Sequence, residues 1–222
     1  MPPKPVLYTT AALVVVVLLG LTAIRGHAPQ SASEWLSPIG PAVTVAATGL
    51  WLFDRVAWRW PAIRRLHGRP VLYGTWHGEL ASDWVDPTTN RRIPPDPNVF
   101  LVVRQRFWHI TVRLLTKESS SASMLANFKA DADGVHQLIY VYANTPRPEV
   151  RHRSELHYGA VVLGAPRDSN QGVEGHYFTD RKTRGEMRFH TRFKRLVETH
   201  TAGMALLTPT PAKSWRQRLR GR

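Results

Sequence analysis

The middle of the chain has the two-residue period of hydrophobic and polar positions that is typical of β-strands. From Phe100 to Gln105 the even-numbered and odd-numbered residues form two sets, and a similar alternation runs from Trp108 to Leu114 and over residues 138–144. Successive side chains of a strand point to opposite faces of its sheet, so each set occupies one face. Because both faces carry apolar residues, the pattern predicts a sheet that closes on itself.

Short alternating segments of this kind continue to about residue 192 and are separated by turn-forming residues, which indicates antiparallel strands rather than βαβ units. Eight strands make the smallest comfortable closed barrel, with room inside for side chains or one small ligand. We therefore predict an eight-stranded antiparallel up-and-down β-barrel, minimal and lipocalin-like. Its expected strands are residues 71–81, 98–105, 107–116, 121–130, 136–144, 155–163, 172–179 and 185–192.

Two runs without charged residues, 5–24 and 35–53, precede the barrel. At about 1.5 Å per residue the first is long enough to cross a bilayer core, so we predict two N-terminal transmembrane α-helices. A cleaved signal peptide is the alternative for the first run, but the second run soon afterwards favours a helical hairpin. Arginine is in excess after residue 54, and the positive-inside rule then places the barrel in the cytoplasm.

This interpretation divides the chain into four parts. It predicts a two-helix transmembrane hairpin (1–60), a basic juxtamembrane linker (61–70), a cytoplasmic β-barrel (71–200) and a basic C-terminal tail (201–222). The stretch that follows Arg192 is compatible with a short helix or a frayed extension.

Charge and motifs narrow the class of function. The formal net charge of +14 indicates an anionic partner, such as nucleotide phosphates, nucleic acid or lipid headgroups. The sequence has no cysteine, which excludes a disulfide framework, thiolate chemistry and Cys-ligated zinc. Its ten histidines stand at no metal-ligand spacing, and neither GxSxG nor GxxxxGK[ST] occurs. We therefore predict a protein that is not an enzyme and has no metal site.

Five segments occur in an order that resembles a known family: GTWHGEL (74–80), LVVRQRFWHITVRLLTKESSSAS (101–123), LIYVYANTP (138–146), LHYGA (156–160) and GHYFTDRKTRGEM (175–187). With the N-terminal runs they resemble the SMODS-associating two-transmembrane β-strand-rich effectors. These are the CD-NTase-associated membrane effectors of bacterial CBASS antiphage systems.

The resemblance implies a multi-pass protein of the bacterial inner membrane, whose cytoplasmic barrel senses a cyclic dinucleotide or cyclic oligonucleotide made by a partner CD-NTase. It further implies self-association into oligomers and disruption of inner-membrane lipids, which causes abortive infection. The activating ligand would be this second messenger, with no other cofactor and no nucleic acid polymer as partner.

A cyclic dinucleotide carries two phosphates and two bases, so its receptor needs cationic donors, aromatic plates and groups that read base edges. Arginine suits phosphate because its planar fork can bond two oxygens at once, and aromatic rings can stack on bases. The candidate ligand-binding residues are Arg104, Gln105, Trp108, Thr116, Ser119, Ser121, Tyr140, Tyr142, Asn144, Tyr177, Thr179 and Arg181.

Other interpretations of these residues stay open at this point. Tyr140 and Tyr142 fit a barrel core equally well, Trp108 fits a core better, and the serines after Glu118 fit a polar hairpin. A barrel that binds a lipid or another apolar ligand would have an aliphatic lumen with its arginines outside. An enzyme acting on membrane lipid would need titratable groups converging in one pocket.

Overall fold

The computed structural model describes residues 4–24, 31, 33, 37, 39–86, 89–166 and 171–208. The chain forms two compact units. The first consists of Met1–His67 with Arg106–Trp108, and the second of Gly68–Gln105 with His109–Arg222. The basic stretch 212–222 of the predicted C-terminal tail lies outside the described residues.

The first unit is helical. Its elements are α1 (Lys4–Ile24), α2 (Ile39–Arg55), a 3-10 turn (Ala57–Arg59) and α3 (Pro61–His67). Helices α1 and α2 pack against each other, and α2 buries its small residues Ala42 and Ala46. Within the same unit, Phe53 and Phe107 meet edge to face with ring centroids 4.8 Å apart.

The prediction of two transmembrane helices is wrong. Among the helices of the described residues, none has both the length and the apolar character that a membrane crossing requires. The second predicted span illustrates the physical reason, since α2 begins at Ile39 and extends into the charged pair Asp54 and Arg55. Its 17 residues reach about 25 Å, which is less than a hydrocarbon core of about 30 Å. Residues 35, 36 and 38 of that predicted span lie outside the described residues.

The second unit contains the closed eight-stranded antiparallel barrel that the alternating pattern predicts. Barrel strands that are neighbours in sequence are neighbours in the barrel, and the first strand pairs with the last to close it, which makes an up-and-down topology. The barrel strands are β1 (Gly74–Ser82), β4 (Asp96–Gln105), β5 (Ile110–Leu115), β6 (Ser119–Ala130), β7 (His136–Pro146), β8 (His157–Gly164), β9 (Val173–Thr179) and β10 (Arg184–Phe193); β2 (Val85–Asp86) and β3 (Arg91–Arg92) pair as a ribbon between β1 and β4.

Apolar side chains fill the barrel lumen over much of its length, and they include Trp76, Leu101, Leu138 and Phe189. One end of the lumen is sealed by Gln105, which is 3% exposed. Its side-chain oxygen accepts from the N–H of Leu72 at 2.8 Å, and its amide donates to the carbonyl of Pro70 at 2.9 Å. We refer to this as the closed end of the barrel.

A second apolar cluster covers part of the barrel exterior. It contains Phe100 and Val102 from β4, with Leu115 and Val197, and the helix α4 (His200–Leu207) packs on it. The close approach depends on Gly203, because a Cβ there would lie 2.6 Å from the Phe100 ring. As a result β4 is apolar on both faces.

Candidate functional site

The end of the barrel opposite the closed end contains a cavity of about 400 Å³. Strands β1, β5, β7 and β9 finish at this end and β4, β6, β8 and β10 start there, because consecutive strands are antiparallel. Its walls therefore combine the inward-facing residues of many strand ends with residues of the connections between them. We refer to this as the open end. The volume lies within the range of small-molecule sites in proteins.

Eight of the twelve candidate residues line this cavity. They share polar or aromatic chemistry and come from β6, β7 and β9 or from the turns beside β5 and β9: Thr116, Ser119, Ser121, Tyr142, Asn144, Tyr177, Thr179 and Arg181. The hydroxyl group of Thr116 accepts from the N–H of Ser119 at 2.9 Å, so these two residues also hold their own turn.

The structure places the remaining four candidates elsewhere. Arg104 lies on the barrel exterior, where it is 40% exposed and forms an ion pair with Glu198 at 3.2 Å. Gln105 is at the closed end, and Tyr140 is buried in the lumen core. Trp108 belongs to the helical unit, where its ring packs near Phe53.

Two tyrosines form aromatic walls of the cavity, and glycines on neighbouring strands make room for them. A Cβ at Gly159 would lie 2.5 Å from the Tyr142 hydroxyl oxygen, and one at Gly185 would lie 2.6 Å from the Tyr177 ring. Burial raises the pKa of Tyr142, and it also raises the pKa of Tyr177, against a hydrogen bond from Ser82 that lowers it. Both hydroxyl groups therefore stay protonated at neutral pH and add no negative charge to the site.

Arg181 is the arginine that lines the cavity, and the β9–β10 turn fixes its backbone. Thr179 and Thr183 brace this turn, with their hydroxyl oxygens 2.6 Å apart. The Nη1 group of Arg181 donates to the Ser154 hydroxyl at 3.4 Å, a long hydrogen bond. Its Nε is buried and has no hydrogen-bond partner among the described residues. A buried donor without a partner costs free energy. An anion that accepts a hydrogen bond from this guanidinium would remove that cost.

His157, which is not among the candidate residues, also lines the cavity. Its Nδ1 lies 3.0 Å from the carbonyl oxygen of Glu155, which can only accept, so Nδ1 carries the proton. Burial lowers the pKa of His157, and the positive charge of Arg181 lowers it further. The neutral ring therefore leaves Nε2 as a hydrogen-bond acceptor.

Sequence reasoning missed the part of the lining that comes from connections. The stretch between β1 and β4 contributes Trp84, Ile93 and Pro94, and the β7–β8 connection contributes Val150 and Ser154. Loop residues carry no alternation that assigns them to a face, so the periodic pattern could not place them. For His157 a signal did exist, because it shares strand parity with the inward Val161.

Charged groups of both signs surround the cavity. Lys117 and Arg181 supply positive charge, and the carboxylates of Asp96 and Glu118 supply negative charge. Within the described residues, no group of three or more His, Asp or Glu side chains is arranged to hold a metal ion. The arrangement suits a ligand that carries both an anion and hydrogen-bonding edges.

Comparison with known proteins identifies relatives of this segment. Residues 68–191, more than half of the chain, match the family described as "Cap15, cyclic dinucleotide receptor domain". CD-NTase-associated protein 15 from Yersinia aleksiciae is 29% identical over 181 residues, which cover 77% of this chain and 81% of that relative. All residues that line the cavity lie within the matched segment.

Proposed function

The chain belongs to the family of the Cap15 cyclic dinucleotide receptor domain, and on this premise we propose that the open-end cavity binds the activating cyclic dinucleotide or oligonucleotide. Arg181 carries this proposal. Its guanidinium lines a cavity that Tyr142 and Tyr177 also line, and its Nε has no partner in the described part of the chain.

Each chemical part of such a ligand finds a matching group in the cavity. Two oxygens of a phosphate can accept hydrogen bonds from the planar guanidinium of Arg181 at the same time. This is the geometry in which arginine binds phosphate best. The rings of Tyr142 and Tyr177 offer surfaces on which a base can stack. At the edges of a base, the Asn144 amide can pair with donors and acceptors, and the Nε2 atom of His157 can accept from a donor.

The mixed polar and apolar lining of the cavity favours this ligand over a lipid. A barrel for an apolar ligand needs open space between aliphatic side chains, but here the aliphatic part of the lumen is packed with its own core. The open space lies instead at the open end, where serine, threonine, asparagine and arginine contribute to the walls together with apolar residues such as Leu80, Ile93 and Met187. The proposed role is accordingly that of a receptor, without chemical conversion of the ligand.

We further propose that ligand binding makes copies of the chain associate and damage the bacterial inner membrane, so that a partner CD-NTase controls cell death during phage infection. The name of the relative from Yersinia aleksiciae supports the link to a CD-NTase. Exposed apolar side chains on α1 and α2, among them Val16, Leu19 and Trp51, support a lipid target for the helical unit.

The binding proposal is tested by titration calorimetry of the full-length chain with a panel of cyclic dinucleotides and trinucleotides. The Arg181→Gln variant removes the charged fork, and the Arg104→Gln variant removes an arginine that is paired on the exterior. Two charge-assisted hydrogen bonds of about 1.5 kcal/mol each predict about a hundredfold weaker binding for Arg181→Gln. Arg104→Gln should bind within about twofold of wild type, because it leaves the cavity intact.

Two outcomes would contradict the cavity assignment, and two would contradict the effector step. Failure of every cyclic nucleotide to bind the folded wild-type chain, or equal losses in both variants, contradicts the cavity assignment. Release of dye from anionic vesicles tests the effector step. It should require the ligand and should fail in Arg181→Gln at ligand concentrations that saturate wild type. Release without ligand, or none with it, contradicts membrane damage as the output.

A further inference from the structure

Four connections between strands meet at the open end: β1–β4, β5–β6, β7–β8 and β9–β10. Around the closed ring of strands, the junction between β1 and β4 lies four strand positions from the junction between β7 and β8. In an eight-stranded ring these two junctions are diametrically opposite. A contact between their connections therefore joins opposite sides of the open end.

Arg153 makes such a contact. It lies in the β7–β8 connection, and its Nη1 group contacts Asp86 Oδ2 in β2 at 3.3 Å. Its Nη2 group donates to Glu118 Oε1 in the β5–β6 turn at 2.6 Å. The guanidinium carbon also lies 6.0 Å from the ring centroid of Trp84, next to β2. One side chain thus joins three of the four connections.

The contact with Asp86 lies beside the cavity and is shielded from water, whereas Glu118 is half-exposed. The side chain of Arg153 is 16% exposed and that of Asp86 is 13% exposed, so salt screens this pair less than it screens an exposed one. Trp84, Glu118 and Val150, from the three joined connections, all line the cavity. The fourth connection, β9–β10, also contacts this group, because Arg181 donates a hydrogen bond to Ser154, the residue after Arg153.

We propose that Arg153 is the latch of a roof over the open end, a positioning residue that holds the β1–β4 and β7–β8 connections together across the cavity. This inference rests on the proposed function, because it concerns entry of the same ligand into the same cavity. The roof opens when Arg153 releases Asp86 and Glu118, and the ligand enters and leaves through that open state.

A latch has a kinetic signature that ordinary structural support lacks. If the ligand passes only through the open state, a weaker latch raises the open fraction and therefore speeds association and dissociation together. A residue that merely supports the shape of the cavity would weaken affinity without speeding association when it is removed. The guanidinium fork also matters, since Lys cannot present two donors to two carboxylates in fixed geometry.

The test is stopped-flow binding of the full-length chain to the cyclic dinucleotide that binds it best, in wild type, Arg153→Gln and Arg153→Lys. Arg188→Gln is the matched control, because Arg188 also contacts two carboxylates, Glu186 at 3.0 Å and Glu79 at 3.7 Å, but on the barrel exterior. Arg153→Gln should raise both rate constants about tenfold, the factor that corresponds to about 1.4 kcal/mol. Arg153→Lys should lie between it and wild type, and Arg188→Gln should match wild type.

A milder variant protects the test against a folding defect. Asp86→Asn removes one of the two charge contacts without touching the β7–β8 connection, and it should shift both rates in the same direction by a smaller factor. Unchanged or slower association in Arg153→Gln and Asp86→Asn, with weaker affinity, would show a structural role only and would overturn the latch.

A measurement without ligand separates the latch from the proposed function. Hydrogen–deuterium exchange of the ligand-free chain should be faster in Arg153→Gln over peptides that cover Trp84–Asp86 and residues 147–156, while the eight barrel strands keep wild-type protection. Equal exchange in wild type and variant overturns the latch, whether or not a nucleotide binds. If no cyclic nucleotide binds wild type, the proposed ligand fails and this exchange result alone decides the latch.

Discussion

Gly159 lies against the ring of Tyr142, so one added methyl group tests whether that ring is a wall of the binding cavity. A Cβ at Gly159 would lie 2.5 Å from Tyr142 Oη, 2.6 Å from Tyr142 Cζ and 2.7 Å from the carbonyl oxygen of Phe178. Carbon contacts in proteins are optimal at about 3.5 to 4.0 Å, so all three atoms are too close. The carbonyl oxygen belongs to the backbone of the paired strand β9, and the tyrosine ring must therefore move in Gly159→Ala.

The size of the effect follows from this displacement. Overpacking of a well-packed interior costs about 1 to 3 kcal/mol, and for a chain of this size about 2 kcal/mol lowers the melting temperature by about 4 to 8 °C. A displaced ring also loses its stacking contact with a base, which contributes about 1 to 3 kcal/mol. Ligand affinity should therefore fall by about tenfold to a hundredfold.

Calorimetric melting and ligand titration of Gly159→Ala measure both effects. Gly164→Ala is the matched control in the same strand, because its Cβ would have its nearest neighbour at an ordinary 3.6 Å. The double variant Gly159→Ala/Tyr142→Leu should melt above Gly159→Ala, since the clash with the ring is gone, but should not regain affinity. If Gly159→Ala keeps both the wild-type melting temperature and the wild-type affinity, the ring does not form this wall.

Two further predictions concern the closed end and the cavity histidine. Gln105→Leu leaves the N–H of Leu72 and the carbonyl of Pro70 without their buried partner, so urea titration should show a loss of about 2 to 4 kcal/mol, and a loss below about 0.5 kcal/mol would contradict the seal. Because burial lowers the pKa of His157 in the folded chain, the unfolded chain binds more protons and stability falls as the pH drops below about 6.5. His157→Gln should flatten this fall in urea titrations at about pH 7 and pH 5, and equal slopes in variant and wild type would refute it.

The barrel was predictable because alternation is a local property of each strand. The candidate pairs Tyr142 with Asn144 and Tyr177 with Thr179 obey the period of two, so each pair shares a face and reaches the same end of the lumen. The helical unit was misjudged for a related reason. The absence of charged residues predicts a membrane span, but it does not determine where a helix begins and ends. Backbone hydrogen bonds determine these limits, and α2 continues into Asp54 and Arg55.

The roof residues were not predictable in the same way. Arg153 meets Asp86 because the ring of strands closes and brings opposite connections together, and it meets Glu118 from a connection two strand positions away, at separations of 67 and 35 residues. No periodic pattern links such positions, and each charge taken alone resembles an ordinary solvent-exposed loop residue. Contacts of this kind follow from topology, so they can be inferred only after the order of the strands is known.

Arg104 shows why strand parity alone does not identify the lumen. In β4 it shares a face with Phe100 and Val102, and from the sequence that apolar face is as good a candidate for the interior as the face of Val99 and Leu101. The choice depends on α4, more than 90 residues later, which covers Phe100 and Val102 from outside. Once that helix is placed, Arg104 must face outward to Glu198 and Gln105 must face inward. Arg181 escapes this ambiguity because it lies in a turn, where its direction depends on the local bracing of Thr179 and Thr183 rather than on strand parity.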